Sequence, residues 1–151
     1  MTAFHDTLPK KRMGSGALFL NEQGQLLLVN PTYKPQWEIP GGIVEENESP
    51  REACIREVKE ELGIVLVEPR LLCVDYTHAQ PERTESLMFI FWGGVLTESE
   101  IALIRLPVDE LSEYRFVASD EISLLLTRTL ADRVLQSLER IDSQATLYME
   151  S

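Results

Sequence analysis

The sequence predicts an α/β fold, one domain with a mixed β-sheet between helices, and three observations predict it. Short apolar runs bounded by turn residues alternate with stretches of helical period, in the order strands, helix, strands, helix. The stretch from Pro50 to Leu62 carries its own start and stop signals. Finally, 151 residues with 44% apolar content are enough for one buried core without disulfides or a structural metal.

Taken in order, residues 1–12 are mixed and polar and are expected to form a loosely held arm. "GALFLNEQGQLLLVNP" reads as two strands around a turn containing Gly24. "QWEIP" is a short extended piece, because Pro40 keeps Ile39 out of helical geometry. The helix that follows has Ser49 as its N-cap, Pro50 at the first helical position and Glu52 three residues past the cap, a capping box. Gly63 stands where a left-handed C-cap is needed. "RLLCVDYTH" and "ESLMFIFWGGVL" form a second hairpin around "AQPERT". Within it, "LMFIFW" is apolar at successive positions, as in a strand buried on both faces, in the core or at an interface. "IALIRLP" and "EYRFV" are expected as short strands. From a cap at Ser119, the recurrence of Leu130, Val134, Leu138 and Ile141 predicts an amphipathic helix packed on the sheet. The domain therefore spans 13–142, with 143–151 as a fraying tail.

Acids outnumber bases by 25 to 14, for a formal charge of −11. That balance argues against a long nucleic acid or an anionic membrane as partner. A small anionic ligand is still allowed, because a divalent cation reverses the local sign at a site. Cys54 and Cys73 are expected as buried free thiols, too few and too far apart for a disulfide framework or a thiolate metal site. No apolar run approaches the roughly 20 residues of a membrane span, and "GALFL" is too short for a secretory signal, so the cytoplasm is the expected location.

The chemistry concentrates in one stretch, "GGIVEENESPREACIREVKEELGI". At 100° per residue, Glu57, Glu60 and Glu61 share an arc of about 100° beside the apolar stripe of Ile55, Val58 and Leu62. Like charges on adjacent turns repel by a few tenths of a kcal/mol per pair, roughly, which Arg56 offsets in part through Glu52 and Glu60. Geometry alone leaves two readings open: a solvated acidic face, or hard oxygen ligands for Mg²⁺ or Mn²⁺.

The spacing narrows the choice. Residues 42–64 satisfy G-x5-E-x7-R-E-U-x-E-E-x-G-U, where U is a bulky aliphatic, at Gly42, Glu48, Arg56, Glu57, Val58, Glu60, Glu61, Gly63 and Ile64. This resembles the Nudix box of the Nudix hydrolases, with "WEIPGG" similar to the usual lead-in. The resemblance implies an αβα sandwich, a divalent metal (commonly Mg²⁺, with Mn²⁺ as a substitute) and hydrolysis of a nucleoside diphosphate linked to another group X. It also implies roles: Glu57, Glu60, Glu61 and the Gly41 carbonyl as metal ligands, Arg56 orienting the carboxylates, and Glu48 supporting them. Gly42 would serve the loop and Gly63 the helix stop. Glu57 is the expected proton acceptor, with Glu110 and Glu113 as loop competitors, Glu113 also as a metal ligand. For the substrate, Trp37, Tyr114, Tyr33 and Phe116 are candidate stacking groups, and Arg83, His78, Arg12 and Lys34 candidate polar contacts. Pro81 lies near a proline common in relatives acting on ADP-ribose. The expected substrate is either a nucleoside triphosphate or a nucleotide sugar such as ADP-ribose, the alternative is a catalytically silent nucleotide-binding module, and many relatives dimerise.

Overall fold

The computed structural model describes residues 2–151. A short helix, α1 (Thr2–Asp6), precedes the sheet, so the first twelve residues are not wholly irregular. Strands β1 (Arg12–Asn21) and β2 (Leu26–Pro31) form the hairpin expected around Gly24, with Leu20 opposite Leu26. The piece around Trp37 is not a strand; it touches β2 through a single bridge, Val29 to Glu38. The chain then enters β3 (Gly41–Ile43), which pairs with the N-terminal half of β1. Helix α2 (Pro50–Leu62) follows, then the second hairpin of β4 (Arg70–Thr77) and β5 (Ser86–Leu96).

Among the described residues seven strands form one sheet, in the order β6 (Leu111–Val117), β2, β1, β5, β4, β7 (Leu147–Glu150), with β3 also on β1. The β1–β5 and β4–β7 pairs are parallel and the others antiparallel, so the sheet is mixed as expected. Period-two alternation sends neighbouring residues to opposite faces. Leu18, Leu28 and Ile90 meet the C-terminal helices on one side, while Ala17, Phe19 and Phe91 meet Cys54, Val58 and Leu62 of α2 on the other. Each buried Leu, Ile, Val or Phe among them contributes about 1.5–3 kcal/mol. The apolar run in β5 is thus explained by two core faces. Both cysteines are free and buried, and burial pushes the Cys54 thiol up to about 12.

Three expectations are corrected. "IALIRLP" is not a strand: Thr97 and Glu100 close a capping box that starts α3 (Glu98–Ile101), and the rest is irregular up to β6 (Leu111–Val117). The C-terminal helix is two helices, α4 (Ser119–Leu125) and α5 (Arg128–Leu138), broken where Leu126 adopts extended geometry, and Ala118 rather than Ser119 is the cap position. The tail does not fray: Leu147–Glu150 form β7, paired in parallel with β4 from Cys73 to Tyr76. Among the described residues no helix is long and apolar enough to cross a membrane.

Both ends of α2 are as expected, with the Ser49–Glu52 capping box formed and Gly63 left-handed at φ 75°. A Cβ on Gly63 would meet nothing within 4 Å, so Gly63→Ala carries only the conformational penalty, about 1 kcal/mol. Thermal unfolding should show a fall of about 2–4 °C; an unchanged melting temperature would mean the cap relaxes freely.

Candidate active site

Helix α2 and the loop before it are joined by one side chain. Arg56 donates from Nε to Glu48 Oε2 at 2.7 Å and from Nη2 to Glu48 Oε1 at 3.0 Å, a two-toothed pairing. Its Nη2 also reaches the Ile43 carbonyl at 3.1 Å, and Nη1 donates to Glu57 Oε1 at 2.7 Å. Glu60 stands further off, 3.5 Å from Nη1 and 59% exposed. The guanidinium, with help from the Glu45 N–H, holds the Glu48 carboxyl down at about 2. Glu52, expected beside Arg56, instead accepts from the Ser49 N–H at 2.8 Å, because the capping box claims it.

The two glycines are required by how closely the loop approaches its neighbours. Gly41 has φ 155°, and a Cβ there would lie 2.2 Å from the Ser15 carbonyl oxygen. Its N–H donates to both oxygens of Glu61, at 3.1 and 3.3 Å. A Cβ on Gly42 would lie 2.6 Å from the Glu57 carboxyl carbon, so this residue leaves the space that Glu57 fills. Glu61 does not flank the apolar stripe as expected; it is 7% exposed and lies on the buried face with Cys54, Val58 and Leu62. Burial pushes its carboxyl up to about 8; the charges of Glu57, Glu110 and Glu38 add to that, and the Gly41 N–H opposes it. Glu57 is also raised, by burial first, against the opposing pull of Arg56.

Among the described residues no three carboxylate, imidazole or thiol groups are gathered into a ready-made metal cage. The acids form a row along the helix edge, each held differently: Glu61 by Gly41, Glu57 by Arg56, Glu60 largely by solvent. Their chemistry nevertheless fits a hard divalent cation. Carboxylate oxygens and a loop carbonyl are its preferred donors, and added positive charge would relieve the cost of ionising a buried acid such as Glu61.

Glu61 and Gly41 to Ile43 line a cleft of about 770 Å³. Arg83, His78, Arg12, Lys34 and Tyr33 line it too, together with Glu38 and Glu82. Arg12 is fixed by two bonds to Thr84 at 2.9 Å, and Lys34 by Glu38 at 2.9 Å. Pro81 is exposed in the turn bridged by Gln80 and Arg83. Four candidates stand elsewhere. Trp37 is a core residue, 7% exposed, with the Arg115 guanidinium 4.6 Å over its ring, so its covered face is closed to a base. Tyr114 and Phe116 pack edge-to-face at 6.1 Å against the core on the α2 side. Glu113 is 51% exposed and 3.4 Å from Arg115, whereas the charge of Glu110 acts on both Glu57 and Glu61.

A cluster that sequence reading missed reaches the cleft through Thr77, Arg133 and Ser151. Asp75, fully buried on β4, accepts from Arg133 Nε at 2.8 Å, and Arg133 Nη2 donates to Thr77 at 3.1 Å. Ser151 donates to both Asp75 oxygens, at 2.9 and 2.8 Å. The only local signal was an arginine next to the apolar Val134 on a helix; its partner lies 58 residues away.

Comparison with known proteins agrees with this geometry. A family model described as the NUDIX domain matches residues 10–138. An 8-oxo-dGTP diphosphatase of Proteus vulgaris is 40% identical over 67 residues, covering 42% of this chain and 59% of that protein. Nudix hydrolase 2 of Arabidopsis thaliana is 30% identical over 137 residues, 81% of this chain and 49% of that one. The chain thus spans about half the length of these curated relatives. Among solved structures, a MutT protein from Methanosarcina mazei Go1 superposes with a TM-score of 0.73 at 26% identity, covering 90% of this chain and 99% of its own.

Proposed function

The chain belongs to the Nudix family, and on that premise we propose that it is a metal-dependent pyrophosphohydrolase. Its substrate would be a nucleoside diphosphate linked to a group X, either a nucleoside triphosphate or a nucleotide sugar such as ADP-ribose. One observation carries the reading: a single guanidinium fixes Glu48 and Glu57, with Glu60 3.5 Å away, on the helix whose buried Glu61 lines a cleft shared with Arg12, Lys34 and Arg83. The name of the Proteus vulgaris relative, an 8-oxo-dGTP diphosphatase, lends weight to a triphosphate.

Glu57, Glu60, Glu61 and the Gly41 carbonyl would hold Mg²⁺ or Mn²⁺. A divalent cation bound there would supply charge neutralisation at the phosphate oxygens and a bound water of lowered pKa. The protein's own contribution is positional. Arg56 fixes the Glu57 carboxylate from one side while Gly42 leaves it room on the other. Burial raises the proton affinity of Glu57, which suits the acceptor of a proton from attacking water. Glu110 is the nearest competitor for that role by its electrostatic reach.

A substrate panel with Mg²⁺ and with Mn²⁺ tests the proposal, comparing wild type with Glu60→Gln. One class of diphosphate should turn over, and Glu60→Gln should lower that turnover by about a hundredfold. Products separate the classes: pyrophosphate plus a monophosphate from triphosphates, two monophosphates from nucleotide sugars. Silence across the panel from folded protein would defeat the proposal.

A further inference from the structure

We infer that Arg133 is a specificity-determining residue of the cleft and that it reads a nucleobase presenting a carbonyl oxygen, a guanine-type rather than an adenine-type base. The inference rests on the proposed nucleotide substrate and adds what selects the base.

Three features of the cleft around Arg133 lead to it. The first is the donors that Arg133 has left. A guanidinium carries five N–H groups in a rigid fork and accepts none. Its side-on pair is spent on Asp75 through Nε and on Thr77 through Nη2. Nη1 makes no such bond, and among the described residues no buried side-chain polar atom lacks a partner. Nη1 therefore keeps some accessible surface although Arg133 as a whole is 5% exposed, and the surface that Arg133 retains borders the cleft, which it lines. Asp75, in turn, is locked by Ser151 and has no freedom to release the arginine.

The second feature is charge. Asp75 is fully buried against Arg133 and neutralises it. The free edge then behaves as a directed donor with little net charge, suited to a neutral acceptor more than to a phosphate. In the proposed reading the phosphates lie instead toward Glu61 and the glycine loop, where the metal would be held.

The third feature is the floor. Strand register places Gly14, Met88 and Asp75 side by side across β1, β5 and β4. Gly14 has no side chain, and the Met88 thioether lies over it, so closely that a Cβ there would be 2.6 Å from Met88 Cε. A flat aromatic base can rest on this soft apolar surface with one edge toward Arg133. Guanine and hypoxanthine present a carbonyl acceptor where adenine presents an amino donor, and a donor-only arginine distinguishes them.

Calorimetric titration of the metal-free chain with GMP, IMP and AMP tests this without requiring turnover. GMP and IMP should bind about tenfold more tightly than AMP, and Arg133→Lys should bring the three within about threefold of one another. Equal affinities in the wild type would overturn the inference, with no variant needed. So would guanine selectivity persisting unchanged in folded Arg133→Lys. Base selectivity without turnover of any diphosphate leaves this inference standing and defeats the hydrolase reading; turnover of GTP and ATP with no base preference does the reverse.

Discussion

Glu57→Gln is expected to lower kcat by about a thousandfold while leaving the fold intact. The loss follows from removing a proton acceptor worth about two to four decades, a group that in the proposed reading is also a charged oxygen ligand. Stability should survive, because glutamine has the same shape and its carbonyl oxygen can still accept from Arg56 Nη1, now at 2.7 Å from the carboxylate. The pocket opposite Gly42, which fits a flat carboxyl group, fits a flat amide equally. Burial already disfavours ionised Glu57, so the neutral side chain should if anything raise the melting temperature of the metal-free chain. Glu110→Gln and Glu113→Gln serve as the comparison. Glu113, half exposed beside Arg115, should cost least of the three. If Glu57→Gln keeps more than about a tenth of the activity while Glu110→Gln collapses, the proton goes to the loop and the assignment to the helix is wrong.

What could be read from the chain beforehand was whatever has a local cause. Helix α2 was legible end to end because Ser49, Pro50, Glu52 and Gly63 specify its limits within the segment itself. The two hairpins were legible for the same reason, each closed by a turn between apolar runs. The acid row was legible as a spacing, but the burial of Glu61 was not. Angular arithmetic places a residue around the helix axis without saying where the sheet lies, and the sheet covers Cys54 and Glu61 more fully than Ile55. Strand β7 is four residues of alternating exposure whose pairing partner, β4, lies some seventy residues back, so nothing local marks it. The Asp75–Arg133 pair was hidden by the same distance. Trp37 was misplaced for a related reason: an aromatic beside a glycine loop looks like a platform until the strand carrying Arg115 is seen to cover it.

The buried Glu61 leads to the second large effect, in the metal-free protein. Its carboxyl stands at about 8 in the folded chain, against about 4.3 for a free glutamate. Between those values the folded state keeps a proton that the unfolded state has released, so stability must fall as pH rises. The contribution is complete below about pH 4.3 and is lost by about pH 8; Glu57, also raised by burial, acts in the same direction. Glu48 does not interfere, since its carboxyl is held at about 2 and matters only in more acid solution. At roughly 1.4 kcal/mol per pH unit, the loss between pH 5 and 8 is on the order of 4 kcal/mol, or about 10 °C of melting temperature. Glu61→Gln should flatten that slope, because it holds the neutral state at every pH. Mg²⁺ or Mn²⁺ added to the wild type at pH 8 should restore melting temperature in proportion to the logarithm of its concentration, and should do far less for Glu61→Gln. A wild type whose stability is level from pH 5 to 8 would show that Glu61 ionises there without cost. The buried acid would then no longer be a reason for this part of the cleft to attract a cation.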